Sequence, residues 1–388
     1  MFINFRRIHK CRWVQLLTTS LVLCVVMVCW EPLDHHVVSH VRSYAYRYLV
    51  NRFDFINSSF VARRDRGDAG GGTPGYSYLI DHPGKCDRAD GGGPDDVLLL
   101  LFVKSSPENG AQRRAIRSTW GNETYARRRL DAGVRTLFVL GAHPDPLHRA
   151  WVQGELRRED RAYGDLIQQD FADTFHNLTA KLVLQFRWGR RRCPQARFVM
   201  SADDDVFVHV ANLVRYLRAL PADAATGLWV GHVHRGAPPV RRQDSKYYVP
   251  RELYPWPSYP DYTAGAGYVV SGDVAGKIYA ATLALDASVY IDDVFMGMCA
   301  SLAGVAPRDH AYFSGEGKAQ LHPCIYDRMI TSHGHAADMY ALWRATVERA
   351  EARRTPGPLG DWYCTAARAA LLCRPHFVDT YSCMAAFA

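Results

Sequence analysis

The chain of 388 residues has no block of five or six like charges, which speaks against a nucleic-acid-binding tail. Basic residues exceed acidic ones only mildly, 47 against 39, and the excess is spread along the chain. There is no C-x-x-C pair, so a zinc ribbon is disfavoured. EF-hand spacing is absent, and so is any repeat of about 20–50 residues that would build a solenoid. What is present is ordinary globular composition: 48% hydrophobic, 22% charged and 12% aromatic. That excludes a disordered, collagen-like or coiled-coil main body. The length allows one large α/β domain or two average ones. The modest net charge of +8 suits an anionic ligand such as a nucleotide diphosphate.

Val14 to Trp30 carries no charge, with Arg6, Arg7, Lys10 and Arg12 before it and Glu31 and Asp34 after it. Hydropathy and the excess of positive charge on one flank predict a signal-anchor over 13–30, a cytosolic tail over 1–12 and everything later on the far side of the membrane. Cys29-Trp30-Glu31-Pro32 lacks the small residues of a cleavage site, so the rival, a cleaved signal peptide, is disfavoured. Three N-x-[ST] acceptors, Asn57, Asn122 and Asn177, all fall on the expected lumenal side. Seven of the ten cysteines lie there too; disulfides are expected, and an odd number leaves at least one thiol without an intrachain partner.

Residues 31–96 read as stem and linker, because 63–75 and 88–94 are rich in Gly, Arg and Asp and lack an apolar period. A catalytic domain is expected over 97–345 and a C-terminal extension over 346–388. VLLLLFV (97–103), RTLFVL (135–140), residues 165–169 and RFVMS (197–201) read as buried strands, separated by helical patterns at 111–120, 150–162, 175–188 and 211–219. That alternation predicts an α/β fold with a mostly parallel sheet. The looser pattern after about residue 225 predicts a mixed sheet edge.

Asp203-Asp204-Asp205 directly follows the RFVMS strand. In open α/β sheets, ligands bind outside the carboxyl ends of strands, and three adjacent carboxylates need neutralising. Residues two apart in extended chain point the same way, so Asp203 and Asp205 can share one Mg²⁺ or Mn²⁺. The competing reading is a solvated acidic turn. Asp292-Asp293, in YIDDVFMGMC, can supply a general base or simply cap a helix. His333 and His335 can complete a metal shell or meet a phosphate, and Arg113 and Arg117 share a helical face and can reach a phosphate; both remain weighed against a bland surface role. The aromatic stretch 246–268 offers flat faces for a sugar or, equally, for packing.

RRAIRSTWG (113–121), DFADTFHNLTAK (170–181), FVMSADDDVFV (198–208), YPDYTAGAGYVVSGD (259–273) and IDDVFMGMC (291–299) resemble, in order, the motifs of the lumenal β-1,3-glycosyltransferases. The resemblance implies a GT-A fold, a Rossmann-like nucleotide half joined to an acceptor half. It implies Asp205 as direct metal ligand, with Asp203 and His333 beside it. His335 stays open, because the local spacing is one residue shorter than in relatives. It places Arg113, Arg117, Lys181, Asp203 and Asp204 toward the nucleotide and Asp293 as base, with Asp292 as the alternative. Thr263 stands where many relatives carry Cys, so the family's disulfide pattern does not carry over whole.

The flanking segments, including the terminal VDTYSCMAAFA, narrow the resemblance to members that act on a glycolipid. They imply Mn²⁺ (or Mg²⁺) as cofactor, UDP-GlcNAc as donor and lactosylceramide as acceptor. The implied location is the Golgi membrane, single-pass, with the catalytic domain in the lumen. No nucleic acid is implied, and association with itself or with other Golgi transferases is left open. Rivals that share the motifs or the carboxylates are a β-1,3-galactosyltransferase, a polylactosamine-type enzyme acting on glycoproteins, a glycoside hydrolase and a non-catalytic sugar-binding protein.

Overall fold

The computed structural model describes residues 16–22, 75–88, 95–348, 357–373, 380–381 and 383–387. Residues 16–22 are helical; the rest of the expected anchor, and Asn57, lie outside the described residues. No described helix is long and apolar enough to cross a membrane. The chain divides into two units, residues 1–52 and 53–388, and the architecture below belongs to the second.

The continuous apolar runs become the centre of an eight-stranded sheet. The strands are β1 (Tyr78–Ile80), β2 (Leu99–Lys104), β3 (Val134–Ala142), β4 (Leu166–Ala172), β5 (Phe198–Asp203), β7 (Trp229–His234), β8 (Tyr262–Ser271) and β9 (Arg308–Asp309). Their order is β1-β4-β3-β2-β5-β8-β7-β9. The inner four, β4-β3-β2-β5, are parallel, while β8 runs antiparallel to both β5 and β7. The expected mixed edge after residue 225 is therefore present.

Alternate residues of β2 feed opposite cores. Leu99, Leu101 and Val103 join one cluster and Leu100 and Phe102 the other. This is why the run is apolar at every position: strands covered on both faces have no wet side. One face is covered by α4 (Leu178–Arg192), α6 (Gly272–Ala284) and α7 (Asp292–Leu302). The other is covered by α1 (Gly110–Ser118), α2 (Glu123–Leu130), α3 (Pro146–Tyr163) and α5 (Val210–Ala219). Local chemistry sets the helix ends. Asn122 accepts the Tyr125 N–H at 2.8 Å to open α2, and Asp145 with Pro146 opens α3. Gly164, at φ 61°, closes α3 in the left-handed conformation that glycine adopts at least cost.

Two segments outside 97–345 are bound into the fold. β1 lies inside the stretch read as linker, yet it pairs antiparallel with β4 at the sheet edge. Cys86–Cys193 and the Trp188 indole N–H donated to Asp81 at 2.7 Å bind this segment to α4. Three residues are too few to show a strand period, so composition hid it. The described parts of the C-terminal extension are also tied to the sheet domain. Helix α10 (Pro358–Leu372) is cross-linked through Cys364 to Cys324 of the short helix α8 (Pro323–Tyr326). Tyr381 is fully buried and donates to Thr331 O at 2.7 Å. Cys373 is also disulfide-bonded, and among the described residues the free thiol is the buried Cys299.

Candidate active site

The chain builds β2, β3 and β4 outward, then returns to lay β5 on the other side of β2. A crevice opens outside the carboxyl ends of strands where the order reverses in this way. The register pairs Lys104, last in β2, with Asp203, last in β5. The aspartate triad therefore stands at the switch point, as its position after a buried strand anticipated.

Each acid there has a different fate. Asp203 Oδ1 lies 3.0 Å from the Lys104 ammonium. Asp204 turns away: its Oδ2 accepts from Ser105 Oγ at 2.6 Å and Asn109 Nδ2 at 2.9 Å. Asp205 faces His333, with Oδ2 3.3 Å from Nε2. The histidine arrives because β6 (Phe207–Val208) pairs antiparallel with β10 (Thr331–Ser332), folding the late segment back onto the triad. Gly334, at φ 82°, makes the turn that follows. His335 is drawn elsewhere, its ring bonded to Ser332 Oγ at 2.7 Å and Asp338 Oδ1 at 3.0 Å, while its backbone N–H donates to Asp205 O. Of the two histidines left open by the sequence, His333 is the one the fold turns to the acids.

Asp292 and Asp293 open α7, where the positive end of the helix dipole favours carboxylates. Successive helical residues diverge by about 100°, so the two point apart. Asp292 is buried and accepts from Lys104 Nζ at 2.7 Å. Asp293 stays half-buried, with Oδ1 accepting the Val294 N–H at 2.8 Å. Burial and the neighbouring Asp292 charge push the Asp293 carboxyl up to about 7, against the opposing pull of Lys104. Lys104 thus joins a strand acid to a helix acid. Burial alone would lower its affinity for a proton, but Asp203 and Asp292 hold it well above the ordinary value. Sequence reasoning missed Lys104. The signal was a single charge ending an apolar run, at the strand end where sites form.

One carboxylate oxygen each from Asp203 and Asp205 and a ring nitrogen of His333 all lie within 4.8 Å of one another. Burial raises Asp203's carboxyl, and the Asp292 and Asp205 charges add to that beyond what Lys104 offsets. The His333 hydrogen bond to Asp205 raises the imidazole and, against burial, lowers the carboxyl. Two hard oxygens with one imidazole fit Mn²⁺, or Mg²⁺ as the harder alternative, and the excess of negative charge gives a cation something to neutralise.

The basic residues expected at the nucleotide are differently employed. Arg113 and Arg117 do share a face of α1, but it packs on α3. Arg113 Nη2 meets Glu159 at 2.7 Å, and Arg117 meets Glu159 and Asp165, each at 2.7 Å. Arg113 also donates to Ser105 Oγ at 3.1 Å, which itself holds Asp204. Lys181 is buried against Asp173 at 2.8 Å. Arg113 and Lys181 donate to the loop behind the triad, at Ser106 O and Ser105 O, while Arg117 is held by Glu159 and Asp165; each buried charge already has its partner. In the aromatic stretch, Tyr254 and Tyr259 are buried, with ring centroids 4.8 Å apart, so these two pack; Tyr262 remains half-buried near Asp293. Asn122 is spent as a helix cap through its side-chain oxygen, and the Asn177 side-chain amide donates to Ala172 O at 2.8 Å.

The sheet is mixed and mostly parallel with acids gathered at its switch point, and residues 111–311 match the galactosyltransferase family. The chain belongs to that family. Among individual relatives, it is 58% identical to lactosylceramide 1,3-N-acetyl-beta-D-glucosaminyltransferase A of Danio rerio, over the whole of both chains. It is 52% identical to the Xenopus tropicalis lactosylceramide 1,3-N-acetyl-beta-D-glucosaminyltransferase, again over the whole of both. It is 50% identical to the protein of that name from Homo sapiens, over all of this chain and 99% of that one.

Proposed function

We propose that this chain transfers N-acetylglucosamine from UDP-GlcNAc, in β-1,3 linkage and with inversion, to the terminal galactose of lactosylceramide. The observation that carries the chemistry is the junction at Lys104, which brings the acids of β5 and α7 to one cleft and leaves Asp293 half-buried with a carboxyl near 7. Donor and acceptor follow from the relatives, whose end-to-end identity includes the terminal segments. The catalytic unit is of GT-A type, anchored by residues 13–30 with its cleft in the Golgi lumen.

Asp203, Asp205 and His333 would hold Mn²⁺, which when bound supplies positive charge against that gathering on the departing UDP. Asp293 accepts the proton of the galactose 3-hydroxyl as that oxygen attacks the anomeric carbon. A carboxyl near 7 is about half ionised at neutral pH and basic enough to take a proton late in the step. Lys104 donates to Asp292 Oδ2 at 2.7 Å and so fixes that side chain beside Asp293. Gly265 of β8 lines the same cleft: a Cβ there would make ordinary contacts, 3.4 Å from Lys104 Nζ and 3.7 Å from Asp293 Oδ2.

The deciding assay gives the purified protein Mn²⁺, a panel of UDP-sugars and lactosylceramide beside protein-linked lactosamine. Transfer from UDP-GlcNAc to lactosylceramide is expected to dominate. Preference for UDP-galactose, or for the glycoprotein acceptor, would replace this reading with one of its rivals.

A further inference from the structure

Helix α10 turns several large apolar side chains outward, beside the exposed Asp361. Its two charged residues are Asp361 and Arg368. Arg368 faces inward, 4% exposed, and donates to the backbone oxygens of Ala386 and Cys324. Facing outward are Leu359, Trp362, Tyr363, Ala366 and Ala370, at helical spacing, with Leu359 84% and Trp362 72% exposed. The elements that α10 packs on extend the patch. Leu321, 60% exposed, precedes His322, whose ring lies 6.1 Å from that of Tyr363. The terminal turn, part of the VDTYSCMAAFA segment, contributes Met384 at 74% and Phe387 at 71% exposed.

Large apolar residues exposed singly are ordinary; six on one disulfide-tied unit are not. Trp and Tyr beside Leu, Met and Phe, with exposed Asp361 on the same helix and Asp327 and Arg328 exposed after α8, is the composition of a face that lies in the interfacial layer of a bilayer. The unit also buttresses the site: Tyr381 holds Thr331 O, two residues before His333. Chain length adds a reason. Residues 31–74, 44 positions, separate the expected anchor from the first described residue of the folded unit, so the anchor and the lipid-borne acceptor's surface are joined to the cleft by chain length alone.

We infer that the outward face of α10, with Leu321, Met384 and Phe387, docks on the lumenal bilayer surface and holds the cleft at the height of a lipid-linked acceptor. The inference rests on the glycolipid reading above. The surface selects lipid-borne over soluble acceptors without touching the chemistry.

The test uses the full chain reconstituted in phosphatidylcholine nanodiscs carrying lactosylceramide, beside a soluble lactoside. The combined change Leu359→Ser, Trp362→Ser and Phe387→Ser is expected to lower kcat/KM on the embedded acceptor by about tenfold or more, with the soluble lactoside unaffected. Trp362→Phe, which keeps an apolar ring, should retain embedded-acceptor activity. Brominated lipid should quench wild-type tryptophan fluorescence more than that of Trp362→Phe. Equal losses on both acceptors would mean a structural role only, and no loss on either would mean an idle surface. A change in sedimentation state with acceptor selectivity intact would make the occupant a second copy. Each of these outcomes overturns the inference. A wild type that uses neither acceptor defeats the glycolipid reading instead, and lipid quenching still decides the docking.

Discussion

Replacing Asp293 by Asn separates the two jobs of the adjacent acids. The amide keeps the side chain's shape and can still accept the Val294 N–H, so the start of α7 is preserved. Loss of a positioned general base costs about 10²–10⁴ in turnover, or about 3–5 kcal/mol of barrier. Stability moves the other way. A carboxyl raised from 3.8 to about 7 binds its proton more tightly folded than unfolded. Its favourable contribution is complete below the unfolded value and is lost as pH rises through the folded one. The ionised form at pH 8 therefore costs the fold at most about 4 kcal/mol, which Asn removes. The variant's advantage should grow by about 2 kcal/mol between pH 5.5 and 8 and level off above. Denaturant melts of metal-free protein at several pH values read the stability, and single-turnover transfer reads the chemistry. Asp292→Asn should do the opposite, losing about 3 kcal/mol because Lys104 is deprived of a buried partner. A variant of Asp293 that keeps turnover within about tenfold, or that is less stable than wild type at pH 8, would refute the assignment.

Two further outcomes follow from the same geometry. Asp205→Ala should abolish Mn²⁺-dependent UDP binding by calorimetry while leaving the circular dichroism spectrum intact; undiminished binding would remove the metal site. Lys104→Met should strand the buried Asp292 and leave the partly exposed Asp203 unpaired, costing about 3–5 kcal/mol at pH 8. The penalty should be smaller at pH 5, where protonation relieves it, and a pH-independent loss would contradict the ion-pair account.

Much of the architecture was legible because its causes are local. A strand buried on both faces is apolar at every position, so VLLLLFV and RTLFVL announced themselves, and the loosened pattern after 225 did mark the antiparallel edge. The triad's place at a strand end and the later Asp pair's place at a helix start were readable for the same reason. β1 was not, being too short to show a period, and the folded C-terminal unit was not, because disulfides and buried tyrosines hold it from far away in the chain.

By itself the sequence determined the α/β alternation, the acids gathered at the end of β5 and the family to which those motifs belong. Only the tertiary structure decided which acid does what. Lys104 meets Asp292 across 188 positions, Arg113 meets Glu159 across 46, and His333 rather than His335 turns to Asp205. Periodicity is written within a few neighbours, whereas a charge's partner is chosen by strand register and helix packing. In a region with little water that choice sets whether a carboxylate is pinned, neutralised or left free to take a proton.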